Sequence, residues 1–153
     1  MHQHCVFQLL NNWETSVNYL LDTNILSEPA RKTPNQNVMH CFSRYDGQYV
    51  TASIVWHELQ YDCELLANSK RKTELQSYLQ ALQKGGLIIL PYSKIAAEWY
   101  AKQRAILNEQ GKMPAYADGE IAAIAAANNL TLVTRNIDDF SEFKNLELDN
   151  WFE

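Results

Sequence analysis

The chain has 153 residues, the usual length of one domain, and 46% of them are hydrophobic, enough to form a core without disulfides or a structural metal. Its 20% charged residues, five glycines and four prolines exclude a disordered, collagen-like or coiled-coil protein. Thirteen basic and eighteen acidic side chains give a net charge of −5, which argues against a protein that coats nucleic acid. An enzyme with an acidic metal site remains compatible with that charge.

Three cysteines, Cys5, Cys41 and Cys63, lie far apart, and no two form a CxxC pair. This pattern predicts the reduced thiols of a cytoplasmic protein rather than a zinc site or a disulfide framework. No apolar run approaches the about 20 residues of a membrane span, and no Lys or Arg precedes the apolar residues near the N-terminus. We therefore expect neither a membrane helix nor a signal peptide.

In chain order, residues 1–16 show no clear periodicity and are interpreted as an N-terminal extension, before a single domain over residues 17–153. Short apolar runs predict buried strands; they cover residues 17–21, 48–52, 87–90 and 130–134, with a last short strand at 146–148. Helical spacing and end signals predict helices; they cover residues 25–31, 34–45, 53–67 (with Ser53 as its cap), 71–84, 94–109 and 116–128. This alternation indicates an α/β fold with a mostly parallel sheet.

Acidic residues follow the predicted strands or begin the helices after them. Asp22 comes directly after the first strand, where it caps the next helix or, if Asn24 is the cap, remains free. Glu58 flanks the apolar stripe of the third helix, and Asp118 lies in the first turn of the last one. Asp139 follows the fourth strand. Each has an ordinary explanation as a helix cap or a solvated side chain.

Taken together, these acids point to a cation site. A parallel sheet brings Asp22, Asp139 and the start of the Asp118 helix to the same edge, and Glu58 is within reach of it. Two carboxylates about 4 Å apart repel each other by about 4 kcal/mol at an effective dielectric constant of about 20. Oxygen ligands without His or Cys favour Mg²⁺, or Mn²⁺, over Zn²⁺.

Four segments in this order resemble the sequence motifs of PIN-domain ribonucleases, and in particular those of the VapC-type toxins of bacterial toxin–antitoxin pairs. The segments are Val17–Ser27 (VNYLLDTNILS), Ser53–Leu59 (SIVWHEL), Tyr116–Ala125 (YADGEIAAIA) and Leu132–Phe140 (LVTRNIDDF). The resemblance covers about Tyr19 to Asp149 and implies a three-layer α/β/α PIN-like domain. Each segment alone is a weak signal, whereas four in order form a strong one.

The resemblance also implies roles for single residues. The acids that match the metal-binding and catalytic positions are Asp22, Glu58, Asp118 and Asp139, with Asp138 as an extra acid. The residues that match supporting positions are Asn24, Thr134 and Asn136. Arg135, between the fourth strand and the acidic loop, is the basic residue that we expect nearest to a substrate phosphate. Further basic candidates are Arg31, Lys32, Lys70, Arg71, Lys72, Lys102, Arg104 and Lys112.

The function implied is a Mg²⁺-dependent endoribonuclease that acts as the toxin of a type II toxin–antitoxin pair. One or two metal ions would bind the acids and the scissile phosphate, and water would attack phosphorus in line. We expect a single-stranded RNA loop as substrate, a VapB-type antitoxin that blocks the acidic groove and carries the DNA binding, and a toxin homodimer.

Three other functions are compatible with parts of the pattern. A phosphoacceptor receiver domain needs an Asp at the end of a central strand and a Lys at the end of a later one. The third predicted strand is instead followed by Pro91, Tyr92 and Ser93, with no Asp. A DxD phosphatase needs a second Asp where Asn24 stands. A non-catalytic PIN-like module that only binds a partner has no reason to retain four repelling acids.

Overall fold

The computed structural model describes residues 16–153. Almost all of the predicted N-terminal extension, including His2, His4 and Cys5, therefore lies outside the described residues. Within residues 16–153, the strands are β1 (Tyr19–Leu21), β2 (Tyr49–Ala52), β3 (Ile89–Leu90), β4 (Thr131–Val133) and β5 (Leu148–Asp149). The helices are α1 (Thr23–Leu26), α2 (Gln36–Arg44), α3 (Ser53–Leu65), α4 (Lys70–Lys84), α5 (Lys94–Glu109), α6 (Tyr116–Ala127) and α7 (Ile137–Phe140). None of these helices is both long and apolar enough to cross a membrane.

The five strands form one sheet in the order β3-β2-β1-β4-β5, and all four pairings are parallel. The helices flank this sheet in an α/β/α arrangement, as predicted. β1 is the central strand, with both neighbours paired to it over its whole length. Its residues Leu20 and Leu21 are fully buried, in agreement with the short apolar run that predicted this strand.

Three local predictions were wrong. The helix predicted over 25–31 is instead α1 followed by a 3₁₀ turn at Glu28–Ala30, because Pro29 has no amide hydrogen to continue an α-helix. Ser53 is the first residue of α3 rather than its cap, which is Ala52. The last strand lies at Leu148–Asp149, two residues later than predicted.

The C-terminal residues are held against the first strand by aromatic packing. The ring of Trp151 lies 5.6 Å from that of Tyr19 and 5.5 Å from that of Phe42, centroid to centroid. Trp151 also stacks on Tyr45 at 5.7 Å. Aromatic pairs at such distances contribute about 0.5–1.5 kcal/mol each beyond the area that they bury. This packing fixes the last turn beside β1 and β5, next to the carboxyl edge of the sheet.

Candidate active site

The strand order creates a crevice at the carboxyl edge of the sheet. From β1 the chain proceeds through β2 to β3 on one side, and then returns to β4 on the other side of β1. Such a reversal leaves an opening between the two strands where it occurs, and ligands of parallel α/β sheets bind there. Asp22 follows β1 and Thr134 follows β4, so both residues stand at this opening.

Asp22 is almost completely buried, with 7% of its surface exposed, and both of its carboxylate oxygens accept hydrogen bonds. Oδ1 accepts from the backbone N–H of Thr23 at 2.8 Å, so Asp22 caps α1. Oδ2 accepts from the hydroxyl of Thr134 at 2.8 Å. The alternative in which Asn24 caps the helix and leaves Asp22 free is therefore wrong. Asp22 can cap the helix and still bind a cation, since each of its carboxylate oxygens has a second lone pair.

Glu58 reaches the crevice from α3 and is held there by Thr23. The Thr23 hydroxyl donates a hydrogen bond to Oε2 of Glu58, while its backbone N–H donates to Asp22. One threonine thus orients two acids that are 36 residues apart in the chain. Sequence reasoning missed this role of Thr23; the only available signal was its place between Asp22 and Asn24.

Asp118 and Asp139 complete the acidic group. Burial and the charges of Asp22, Asp139 and Glu58, in that order of effect, together raise the pKa of Asp118 to about 6. Burial is also the main cause that raises the pKa of Asp22, opposed by its hydrogen bonds and reinforced by the charges of Glu58 and Asp139. Glu58 and Asp139 are therefore close enough to act on both Asp22 and Asp118, so the four acids belong to one site. Asp139 is exposed at the start of α7.

The donor set suits a hard cation that retains part of its hydration shell. Within residues 16–153, no three His, Cys, Asp or Glu side chains converge closely enough to form a closed metal cage. Mg²⁺ does not require one, because it keeps several waters and binds through one or two carboxylates together with substrate phosphate. The acidic oxygens and the raised pKa values of Asp22 and Asp118 fit such an ion, which would offset their charge.

The residues after β4 surround a polar pocket. It has a volume of about 380 Å³; its lining residues are Arg135, Asn136, Ile137, Asp138, Asp139, Asn150 and Glu153. The guanidinium of Arg135 lies over the Phe152 ring, 4.3 Å from its centroid. This places the basic residue that we expect nearest to phosphate at the wall of a pocket that also contains Asp139.

The three predicted supporting residues stand next to the acids, but Asn24 and Asn136 do not contact Asp22. The side-chain oxygen of Asn24 accepts a hydrogen bond from the backbone N–H of Arg135 at 3.2 Å, and thereby joins α1 to the loop after β4. The backbone N–H of Asn136 donates to the Thr134 hydroxyl at 3.1 Å. Thr134 alone bonds Asp22 directly, and the other two hold the loop that carries it.

Several of the other basic candidates are engaged elsewhere. Three form ion pairs, namely Arg31 with the buried Glu28, Lys70 with Glu74 and Lys112 with Glu142. Arg71 and Lys72 donate hydrogen bonds to the backbone oxygens of Ala30 and Leu66. Arg104 is different, because its guanidinium lies over the ring of Tyr116. Tyr116 begins the helix that carries Asp118, so the basic candidate Arg104 lies against the first turn of that helix.

Gly119 allows α5 to pack closely against α6, the helix that carries Asp118. A Cβ placed on Gly119 would lie 2.1 Å from the ring of Tyr100 in α5. That distance is far below van der Waals contact, so only glycine permits the present packing of α5 on α6. Tyr100 therefore supports the turn of α6 that carries Asp118 from behind.

Comparisons with known proteins give consistent results. The PIN domain family model matches residues 19–146. The chain is 38% identical over 125 residues to the toxin FitB of Neisseria gonorrhoeae, and the aligned region covers 79% of this chain and 89% of FitB. It is 35% identical over 135 residues to the ribonuclease VapC2 of Rickettsia felis, covering 87% and 97% of the two chains.

The solved structure of VapBC2 from Rickettsia felis, bound to a DNA fragment from its promoter, is similar as well. It superposes with a TM-score of 0.76 at 33% identity, over 88% of this chain and 99% of the other. The likeness of fold thus extends over most of this chain and nearly all of the other.

Proposed function

The chain belongs to the PIN-domain family, and on this basis we propose that it is a Mg²⁺-dependent endoribonuclease that acts as the toxin of a type II toxin–antitoxin system. The observation that carries the proposal is the acidic crevice at the carboxyl edge of the sheet, where the charges of Glu58 and Asp139 raise the pKa values of both Asp22 and Asp118. The names of the relatives, a toxin and a ribonuclease, support the same activity.

Asp22 and Asp118 are the proposed direct metal ligands. When bound, Mg²⁺ (or Mn²⁺) supplies positive charge against the phosphate and lowers the pKa of water. Thr134 and Thr23 hold the Asp22 carboxylate in one orientation, so that its free lone pairs face the crevice without reorganisation. Groups that are already oriented before the reaction stabilise the charges of a transition state most effectively.

Glu58 and Asp139 are the proposed groups for a second ion or for orienting the attacking water. Glu58 is held by the Thr23 hydroxyl, and Asp139 lines the polar pocket. Arg135 at the wall of that pocket is the proposed contact to an RNA phosphate, and its guanidinium has donors available while its face rests on Phe152.

The proposed partners are a single-stranded RNA loop, a VapB-type antitoxin and a second copy of the chain, in the cytoplasm. The antitoxin proposal is supported by the similarity to the toxin of the VapBC2 complex. An inhibitor of this site has to cover an acidic crevice, for which a basic side chain is the complementary group.

Cleavage of total cellular RNA by the purified, antitoxin-free protein tests the proposal. We expect discrete fragments with Mg²⁺ or Mn²⁺ and none with EDTA. Asp118→Asn should abolish cleavage, whereas Asp138→Asn, a change in the exposed acid next to Asp139, should retain it. A folded wild-type protein that binds RNA or an antitoxin but yields no metal-dependent fragments would refute the nuclease and favour the non-catalytic module.

A further inference from the structure

An exposed aromatic ring lies on the first turn of the helix that carries Asp118. Tyr116 is the first residue of α6, two residues before Asp118, and 54% of its surface is exposed. The ring of Tyr100 packs beside it, with centroids 5.4 Å apart at an interplanar angle of 59°. The guanidinium of Arg104 lies 5.2 Å from the centroid of the Tyr116 ring. Two helices therefore contribute one aromatic and basic surface.

Tyr100 connects this surface to the turn of α6 that carries Asp118. Tyr100 is 3% exposed and packs on Gly119, directly after Asp118. Burial raises the pKa of Tyr100, the Arg104 cation opposes this, and the negative charges of Glu120 and Asp118 add to it. Tyr100 thus contacts both the Tyr116 ring and the residue after Asp118, and joins the aromatic surface to the turn of α6 that carries a proposed metal ligand.

Packing does not account for Tyr116 and Arg104. Burial of Tyr116 is incomplete, and among the described residues no carboxylate forms an ion pair with Arg104. A guanidinium over an aromatic ring keeps its N–H donors free at the edge, where a phosphate can accept them. An acidic crevice repels RNA, so a cation next to it has a clear use.

We propose that Tyr116 and Arg104 form a nucleotide subsite, in which Tyr116 stacks on a base of single-stranded RNA next to the scissile phosphate and Arg104 binds a flanking phosphate. The inference rests on the proposed nuclease function and deepens it by naming how substrate is held. Stacking on an aromatic ring needs an unpaired base, because duplex RNA keeps its bases within the helix. The subsite therefore selects unpaired RNA at one position relative to the cut.

The test uses an RNA oligonucleotide that contains a mapped cut site, and a set of copies in which one nucleotide near the cut is abasic. The RNA whose missing base would stack on Tyr116 should be cleaved by the wild-type protein with a kcat/KM about 5- to 150-fold lower than that of the intact RNA. Tyr116→Ala should show a similar loss on intact RNA, but no further loss on that abasic substrate. Tyr116→Phe keeps the ring and should restore the wild-type pattern.

Two further variants separate stacking from structure and from general exposure. Tyr116→Leu keeps apolar bulk without an aromatic face and should behave as Tyr116→Ala. Tyr61 is a matched control, since it is 56% exposed on α3 and none of the described guanidinium groups lies over its ring. Tyr61→Ala should leave the abasic dependence unchanged. Arg104→Gln should weaken binding and reduce its salt dependence, as loss of one phosphate contact does.

The outcomes distinguish this inference from the function on which it rests. If wild-type protein cleaves RNA but Tyr116→Ala cleaves it equally well, or loses the same factor on intact and abasic substrates, the subsite is wrong and the nuclease stands. If Tyr116→Ala weakens only antitoxin binding, the surface is a protein contact and the subsite is again wrong. If wild-type protein cleaves no RNA, the proposed function and the subsite fail together.

Discussion

Binding of a divalent cation should strengthen steeply between pH 5 and pH 7. A carboxylic acid must lose its proton to bind a metal, and the pKa of Asp118 is about 6 without metal. Competition by this one proton weakens binding by a factor of 1 + 10^(pKa − pH), which is about 11 at pH 5 and about 1.1 at pH 7. The apparent affinity should therefore rise by about tenfold, and by more if Asp22, whose pKa burial also raises, loses a proton over the same range.

Isothermal titration calorimetry with Mn²⁺ at several pH values measures this change. Repeating the titration at pH 6 in buffers of different ionisation enthalpy counts the protons released, and Asp118 alone should contribute about half a proton per ion. Asp138→Asn should keep the pH dependence, whereas Asp118→Asn should weaken binding at pH 7 and flatten the curve. A Mn²⁺ affinity that is constant from pH 5 to pH 7, without proton release, would show that Asp118 is not a ligand.

Three further changes test the site through the free energy of unfolding, measured with urea on metal-free protein. The pKa of Asp118 rises from 3.8 in the unfolded chain to about 6 in the folded protein. The free energy of unfolding therefore falls as the pH rises between these two values. Asp118→Asn should consequently stabilise the protein at pH 7, by about 1 kcal/mol after allowance for solvent screening of this half-buried group; an unchanged midpoint would contradict it. Thr134→Val removes the hydrogen bond to Asp22 and should cost about 1.5–3 kcal/mol at pH 7, while Thr134→Ser should cost much less; equal losses would mean that packing, not the hydroxyl, matters. Gly119→Ala forces a methyl group against Tyr100 and should cost about 1–3 kcal/mol, and less in a Tyr100→Leu background; additive losses would exclude a direct clash.

The sequence was most informative where structure depends on neighbours in the chain. The apolar run before Asp22 predicted a buried strand, and the helix over Lys94–Glu109 has the predicted bounds. A parallel sheet then placed Asp22 and the residues after β4 at one edge without further information. The helix that carries Asp118 could be positioned by the same logic.

Details that depend on side chains from distant segments could not be predicted. Asp22, Thr23 and Asn24 are all good capping residues, and no local pattern shows that Asp22 caps α1 with one oxygen while its other oxygen accepts a hydrogen bond from Thr134, 112 residues away. Likewise, Arg104 and Tyr116 are on different helices. Their contact depends on the close approach of α5 and α6 at Gly119, which no local pattern encodes.

The central place of β1 has a consequence for how the protein comes to be made. β1 lies near the beginning of the described chain, yet one of its two partners, β4, begins at Thr131. While the ribosome is still synthesising the intervening helices, the first strand has an unpaired edge, and Thr134 and Asp139 do not yet exist. Pairing over so long a separation is slow to form. A nascent or prematurely terminated chain that stops before β4 therefore contains no complete acidic crevice, which can form only after Thr134 and Asp139 have been synthesised.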